Sequence, residues 1–341
     1  MSRHLYTTKA HRYAPHSLEG PERFALCADR ACLASLAARE VPYHLRGDRS
    51  VGVGIACMVG VVGLWSIVPI LVKQLLDVFD PFTIAFLRSA QGAGFALALL
   101  YARGYTVRSI SWSRWHVVGG MGIALNYSLY ALSLSYTTAS VGVLVVQVQY
   151  VALTLLAVVV LGERVGLGKM GGIGLVLAGI AVVVVGGGDA GALLAPDYMR
   201  GNAVMLLSGL GWGVYALANK VLAPRASSGA ILAPMMGLGA LLIGVLAAAS
   251  FQLRAVPDAQ DLLSLVALGV VGTGLSFTLV SEGMKRLSAT LAGTITTATP
   301  ITQIALANQV LGEPLGWYIA GGGALIIVGI LAMALAERYA P

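Results

Sequence analysis

Residues 139–163 read ASVGVLVVQVQYVALTLLAVVVLGE, and residues 289–313 read ATLAGTITTATPITQIALANQVLGE. The first stretch is free of charge for 24 residues, more than the ~20 helical residues needed to cross a ~30 Å hydrocarbon layer. It is continuously apolar rather than alternating, which fits a membrane helix and not a barrel strand. Laid over each other at a shift of 150, the two stretches end together on Leu161-Gly162-Glu163 and Leu311-Gly312-Glu313. The register continues beyond them: Gly166 meets Gly316, Gly171-Gly172 meets Gly321-Gly322, and Gly179-Ile180 meets Gly329-Ile330. A shift of 147 puts Trp65 on Trp212 and Lys73 on Lys220, so the same interval closes the first helix of each half. The chain reads as a duplication.

Working outward gives ten apolar spans, at about 51–72, 82–102, 116–134, 139–161, 170–187, 202–219, 229–250, 262–281, 288–311 and 315–336. Residues 51–187 form a first five-helix repeat and 202–336 a second. Five is odd, so the second copy starts on the opposite side of the membrane, and the halves are related by a two-fold axis in the membrane plane. The expected fold is an all-α integral membrane protein of ten transmembrane helices in two inverted repeats. Composition agrees: of 341 residues, 57% are hydrophobic and 11% charged, with mean hydropathy +0.83, against roughly 25% charged in a soluble domain. A soluble enzyme is excluded.

The net charge of +7 does not point to nucleic acid, because the basic residues are scattered between apolar runs and form no stripe. They report topology instead. With the N-terminus cytoplasmic, the inner segments carry Arg103, Arg108, Arg114, Arg164, Lys169, Lys220, Arg225, Lys285, Arg286 and Arg338, the outer ones only Lys73, Arg200 and Arg254. Both termini are expected in the cytoplasm of a cell whose inner membrane holds the protein. Residues 1–49 hold eight more Lys and Arg and four of the five histidines, and read as a disordered polar tail. Within it, Phe24 to Glu40 suits a short amphipathic helix on the membrane surface or a plain solvated segment. Cys27, Cys32 and Cys57 give neither a disulfide framework nor a metal spacing.

These features resemble the drug/metabolite transporter superfamily, in its ten-helix EamA type. The resemblance covers residues 51–336 and is carried by Leu64-Trp65-Ser66 with Lys73, by Asp80-Pro81 through Arg88, and by the two Leu-Gly-Glu turns. It implies a secondary transporter of small metabolites, more often exporting than importing. Two departures stand out: Ser66 follows Trp65 where the type often has glycine, and Tyr150 stands where the partner position Pro300 holds proline.

Polar side chains at helical spacing mark faces turned to a bundle interior or a wet cavity. Such stripes hold Asn126 and Tyr130 on span 3, Gln147 and Tyr150 on span 4, Trp212 and Tyr215 on span 6, and Thr296, Thr299 and Gln303 on span 9, with Trp65 nearby on span 1. Spans 1, 3, 4, 6, 8 and 9 are the expected cavity wall; the alternative use of each polar group is interhelical bonding. Arg88 is the charged residue that lies well inside a span, and it reads either as an anchor for a substrate carboxylate or as a packing anchor. Pro300 is a hinge, since it lacks an N–H and clashes with the carbonyl of Thr296, whereas span 4 with Tyr150 is expected to stay straighter. Glu163 and Glu313 are expected to cap the helices that follow them, with proton binding as the sharper alternative.

An intramembrane enzyme would need a nucleophile with a base or paired carboxylates inside spans, and a channel a filter-like lining; the sequence shows neither, and a channel or facilitator for small polar solutes stays the alternative reading. Gly166 to Met170 lacks the spacing of a nucleotide loop, so no cofactor, metal or nucleotide is expected. The expected partners are the lipid bilayer, a coupling ion and a small-molecule substrate. The uncharged polar lining suits an amino acid or similar amphiphile.

Overall fold

The computed structural model describes residues 48–163, 165–186, 196–287 and 289–338. The expected tail therefore lies outside the described residues, apart from Asp48 and Arg49, which lead as helix into the first span. The protein is an all-helical, multi-span membrane fold, and among the described residues nine helices are long and apolar enough to cross a bilayer. In chain order they and their neighbours are α1 (Val51–Leu75), α2 (Pro81–Ala102), α3 (Arg114–Leu134), α4 (Ala139–Leu161), α5 (Leu167–Gly186), α6 (Pro196–Leu222), α7 (Ser228–Ser250) and α8 (Ala259–Met284). There follow α9 (Ala289–Thr296), α10 (Thr299–Leu311) and α11 (Trp317–Arg338). The stretch expected as one ninth span is thus two shorter helices, parted at Thr297 and Ala298 just before Pro300.

Local chemistry sets the helix starts. Asp80 accepts from the Phe82 and Thr83 N–H groups, both at 3.0 Å, with Pro81 as the first helical residue of α2, where a missing N–H does no harm. Thr138 and Ser227 cap α4 and α7 in the same way.

Helix pairing follows the duplication. α5 packs on its counterpart α11, and α2 on its counterpart α7; the α3–α6 pair is matched by α8–α1, and α4–α6 by α9 and α10 on α1. Glycines permit the tightest of these approaches. A Cβ on Gly179 would lie 2.6 Å from the Gly322 carbonyl oxygen, and one on Gly322 2.7 Å from that of Gly179; Gly172 and Gly329 face each other likewise. Gly171 and Gly321, the other members of the glycine pairs, face open space. Gly179→Ala should accordingly lower the melting temperature of the purified protein by a few degrees, through an overpacking cost of roughly 1–3 kcal/mol, while Gly171→Ala should leave it unchanged; a thermal-shift assay compares the two.

The two ends of the bundle differ. At the Glu313 end, Leu75, Leu76, Val78, Phe79, Leu134, Leu144 and Met205 are buried in one apolar cluster. Across it the 76–80 and 251–254 loops are joined by an antiparallel bridge between Phe79 and Leu253 and by Arg254, whose Nη1 donates to the Leu76 carbonyl at 2.6 Å. At the Glu163 end, Glu282 gathers Arg103 (3.1 Å), Lys285 (2.8 Å) and Arg286 (2.7 Å) to one side, and the interior lies open beside them.

Candidate functional site

Three of the helices around the interior are broken at its level. In α1, Pro69 has no N–H for the carbonyl four residues earlier, that of Trp65, and the helix is interrupted at Ile67. Gln303 takes up the freed carbonyl, its Nε2 donating to Trp65 O at 3.0 Å. In α4 the chain tightens over Val146 and Gln147, with N–H bonds reaching three residues back from Gln147 to Leu144 (3.2 Å), Gln149 to Val146 (3.0 Å) and Tyr150 to Gln147 (3.1 Å). The Val143 carbonyl, which loses its helical partner there, accepts instead from Gln147 Nε2 at 2.8 Å. Span 4, expected to stay straighter, is thus interrupted as the ninth span is: it breaks beside Tyr150 without a proline, and a glutamine side chain replaces the missing backbone donor. The third break, between α9 and α10, adjoins Pro300.

The breaks surround a small central chamber of about 100 Å³. Eleven of the residues singled out by sequence line it: Trp65, Arg88, Asn126, Tyr130, Gln147, Tyr150, Trp212, Thr296, Thr299, Pro300 and Gln303. Tyr215 lines a second space that shares Trp65, Tyr150, Trp212 and Thr296 with the first and widens past Asn219, Lys169 and Met284 toward the Glu163 end. The chamber thus opens at one end through a vestibule.

Arg88 is the charged side chain of the chamber wall and is 8% exposed. A π-helical segment of α8, Ala267–Leu275, holds Thr273 for it: the Thr273 hydroxyl donates to the Leu268 carbonyl (3.0 Å) and accepts from Arg88 Nε (2.9 Å). The guanidinium carbon lies 4.1 Å over the Tyr127 ring, a cation–π contact. Among the described residues no carboxylate pairs with Arg88, and its terminal nitrogens have no protein acceptor. Arg88 also brings α2 into the wall, a helix that its polar pattern alone did not mark. Around it the uncharged groups divide their roles. Asn126 ties α3 to α6, its Nδ2 donating to the Ser208 carbonyl and hydroxyl, both at 3.0 Å, whereas the Thr299 hydroxyl is buried without a partner among the described residues.

Where chamber and vestibule meet, four aromatic rings form a box. Trp212 lies 6.0 Å from Trp65, 5.6 Å from Phe277 and 5.2 Å from Tyr215, between ring centroids. Trp65 is fixed by its Nε1–H, which donates to Ser276 Oγ at 3.0 Å. Phe277, with Gln149, was missed by the sequence reading: span 8 was expected in the wall, and Phe277 lies four residues from both Thr273 and Ser281 on it, but the reading singled out no residue there.

The expected capping of following helices by the two turn glutamates is also corrected. Glu313 reaches across to the first half and accepts from Ala139 N (2.6 Å), Ser140 N (2.8 Å) and Ser140 Oγ (2.6 Å) at the start of α4. Glu163 pairs with Lys220 at 2.7 Å.

Comparison with known proteins agrees with this architecture. The chain is 27% identical over 279 residues to the aromatic amino acid exporter YddG of Ancylobacter novellus, covering 81% of this chain and 94% of that protein. It is 26% identical over 262 residues to the uncharacterized inner membrane transporter YhbE of Escherichia coli, covering 73% of this chain and 78% of that one. An uncharacterized transporter of Haemophilus influenzae is 29% identical over 180 residues, 51% of this chain and 58% of that protein. One solved structure, titled only as a crystal structure of protein, superposes with a TM-score of 0.62 over 84% of this chain and 97% of that one at 24% identity, a likeness of fold alone. The sequence pattern of EamA-like transporters matches twice, at residues 52–185 and 199–335, and the chain belongs to the EamA-like transporter family.

Proposed function

We propose that the protein is a secondary exporter of amino acids with bulky apolar or aromatic side chains, working by alternating access between two inverted repeats, 51–187 and 202–336. The observation that carries this reading is the buried, carboxylate-free Arg88 at one side of an uncharged polar chamber whose other side is an aromatic box. A zwitterionic amphiphile matches that arrangement: its carboxylate meets the guanidinium, its ammonium meets the carbonyl and hydroxyl oxygens of Gln147, Thr296 and Thr299, and its side chain lies against Trp212 and Phe277. The exporter name of the Ancylobacter relative favours the same substrate class.

In this reading the protein sits in the inner membrane with both termini cytoplasmic, the vestibule faces the cytoplasm, and the site is loaded from inside. Transport draws on an ion gradient or on that of the substrate. Inside-out vesicles of reconstituted protein should accumulate labelled phenylalanine or tryptophan and leave sugars and nucleotides outside. Uptake of sugars or nucleotides without amino acids would refute the substrate class.

A further inference from the structure

The two Leu-Gly-Glu turns share one backbone and differ in what their carboxylates hold. Gly162 and Gly312 sit at φ of 70° and 67°, and the N–H groups of Glu163 and Glu313 reach the carbonyls of Ala157 (3.3 Å) and Ala307 (3.4 Å), equivalent atoms under the 150-residue shift. At the closed end the Glu313 carboxylate, in a residue 9% exposed, is bound to the N-terminus of α4. The same shift puts Ala139 on Ala289 and Ser140 on Thr290, so α9 starts with the same small residue and hydroxyl. Glu163, however, has Lys220 as its partner, with 32% of its side chain exposed at the open end. Lys220 corresponds to Lys73, which lies within electrostatic reach of Glu313. Each end therefore carries the same three parts: a helix N-terminus, a turn glutamate and a lysine. The glutamate is on the helix where the bundle is shut and on the lysine where it is open.

We propose that Glu163 and Glu313 are alternating latches: each closes its own end by capping the fourth helix of the opposite half, α9 for Glu163 and α4 for Glu313, and passes to the lysine when that end opens. The energetics suit a reversible exchange. A carboxylate at a helix N-terminus gains charge-assisted bonds and the favourable end of the helix dipole, but it is buried in doing so, while a solvent-exposed ion pair is worth little and leaves the carboxylate hydrated. Neither position dominates, so substrate or ion occupancy is enough to decide between them. In the opposite state, Glu163 caps α9 through Ala289 and Thr290, and Glu313 pairs with Lys73.

This inference rests on the alternating-access reading, and the experiment separates the two. Spin labels are placed at Ser135 and Leu315, both exposed at the Glu313 end, in the full chain with its three cysteines replaced. Alternating access requires a short and a long distance population between them. Glu313→Gln is expected to raise the ratio of long to short roughly fivefold, the effect of weakening one helix cap. Adding Glu163→Ala should bring the ratio back toward wild type, because the competing state then loses its own latch. Two populations whose ratio neither change alters, or which both changes shift the same way, would overturn the latch and leave the transport reading standing. A single population at every substrate concentration would remove alternating access, and the latch with it.

Discussion

Arg88→Gln is expected to reduce export of amino acids by about 100-fold or more, the cost of losing one partner from a buried, charge-paired contact of ~3 kcal/mol or above. Glutamine keeps the approximate volume of the side chain, so the loss reports the charge. The structure supplies the reasons to expect a dominant effect: Arg88 is buried, holds Thr273 by one of its five donors only, and leans on the Tyr127 ring. An arginine kept at such a place without a carboxylate counterpart is costly unless something anionic visits it. Arg88→Lys keeps the charge but loses the planar fork and the Thr273 bond, and should fall between the two. Competition assays add a second readout, since wild type should prefer an amino acid to its amide and Arg88→Gln should treat both alike. If Arg88→Gln exports normally but melts early, the arginine is a packing anchor and the carboxylate role is refuted.

Trp212→Ala should lower export of tryptophan and phenylalanine by roughly 30-fold, a loss of ~2 kcal/mol of buried aromatic contact, with alanine and serine export reduced threefold at most. Trp212, like Phe277, touches the three other rings of the box, and it makes no side-chain hydrogen bond among the described residues. Its removal therefore deletes contact surface without unpairing a polar group. Phe277→Ala should repeat the effect in smaller measure. Trp65 is the useful contrast, because its indole N–H is bonded to Ser276; Trp65→Ala unpairs that hydroxyl as well as deleting contact surface and should harm all substrates alike. A uniform loss across substrates in Trp212→Ala, measured as the ratio of tryptophan to alanine uptake, would mean that the box supports the fold and does not read the side chain.

Much of the architecture was legible in the sequence because membrane helices obey local rules. A charge-free run must satisfy its own backbone, so spans announce themselves, and the positions that coincide at a fixed shift reveal the duplication. The chamber residues were legible for a related reason: Arg88, Gln147 and Gln303 are expensive in lipid, and only an interior tolerates them. What escaped depends on distance along the chain or on a choice between two bonding schemes. Glu313 finds its partners 173 and 174 residues away, where no local rule points. Gln147 was assigned to the cavity, which it does line, but its amide is also committed to its own backbone and breaks α4. Pro300 drew attention as the hinge, while Pro69, which releases the Trp65 carbonyl by the same physics, was passed over inside an apolar run.

If the halves alternate as proposed, the interlocked glycines of α5 and α11 bear on how that motion can be imaged. With backbone carbonyls of one helix seated where the Cβ atoms of the other would be, at Gly172, Gly179, Gly322 and Gly329, neither helix slides along the other without collision. The pair stands as a frame beside the interior and meets the vestibule through Lys169, Ile330, Met333 and Ala334. A rigid marker protein grafted as a continuous helix onto the end of α11 would inherit that fixity. Particles caught in either state would then align on the marker and on this pair, and whatever remained blurred in the average would outline the part that travels.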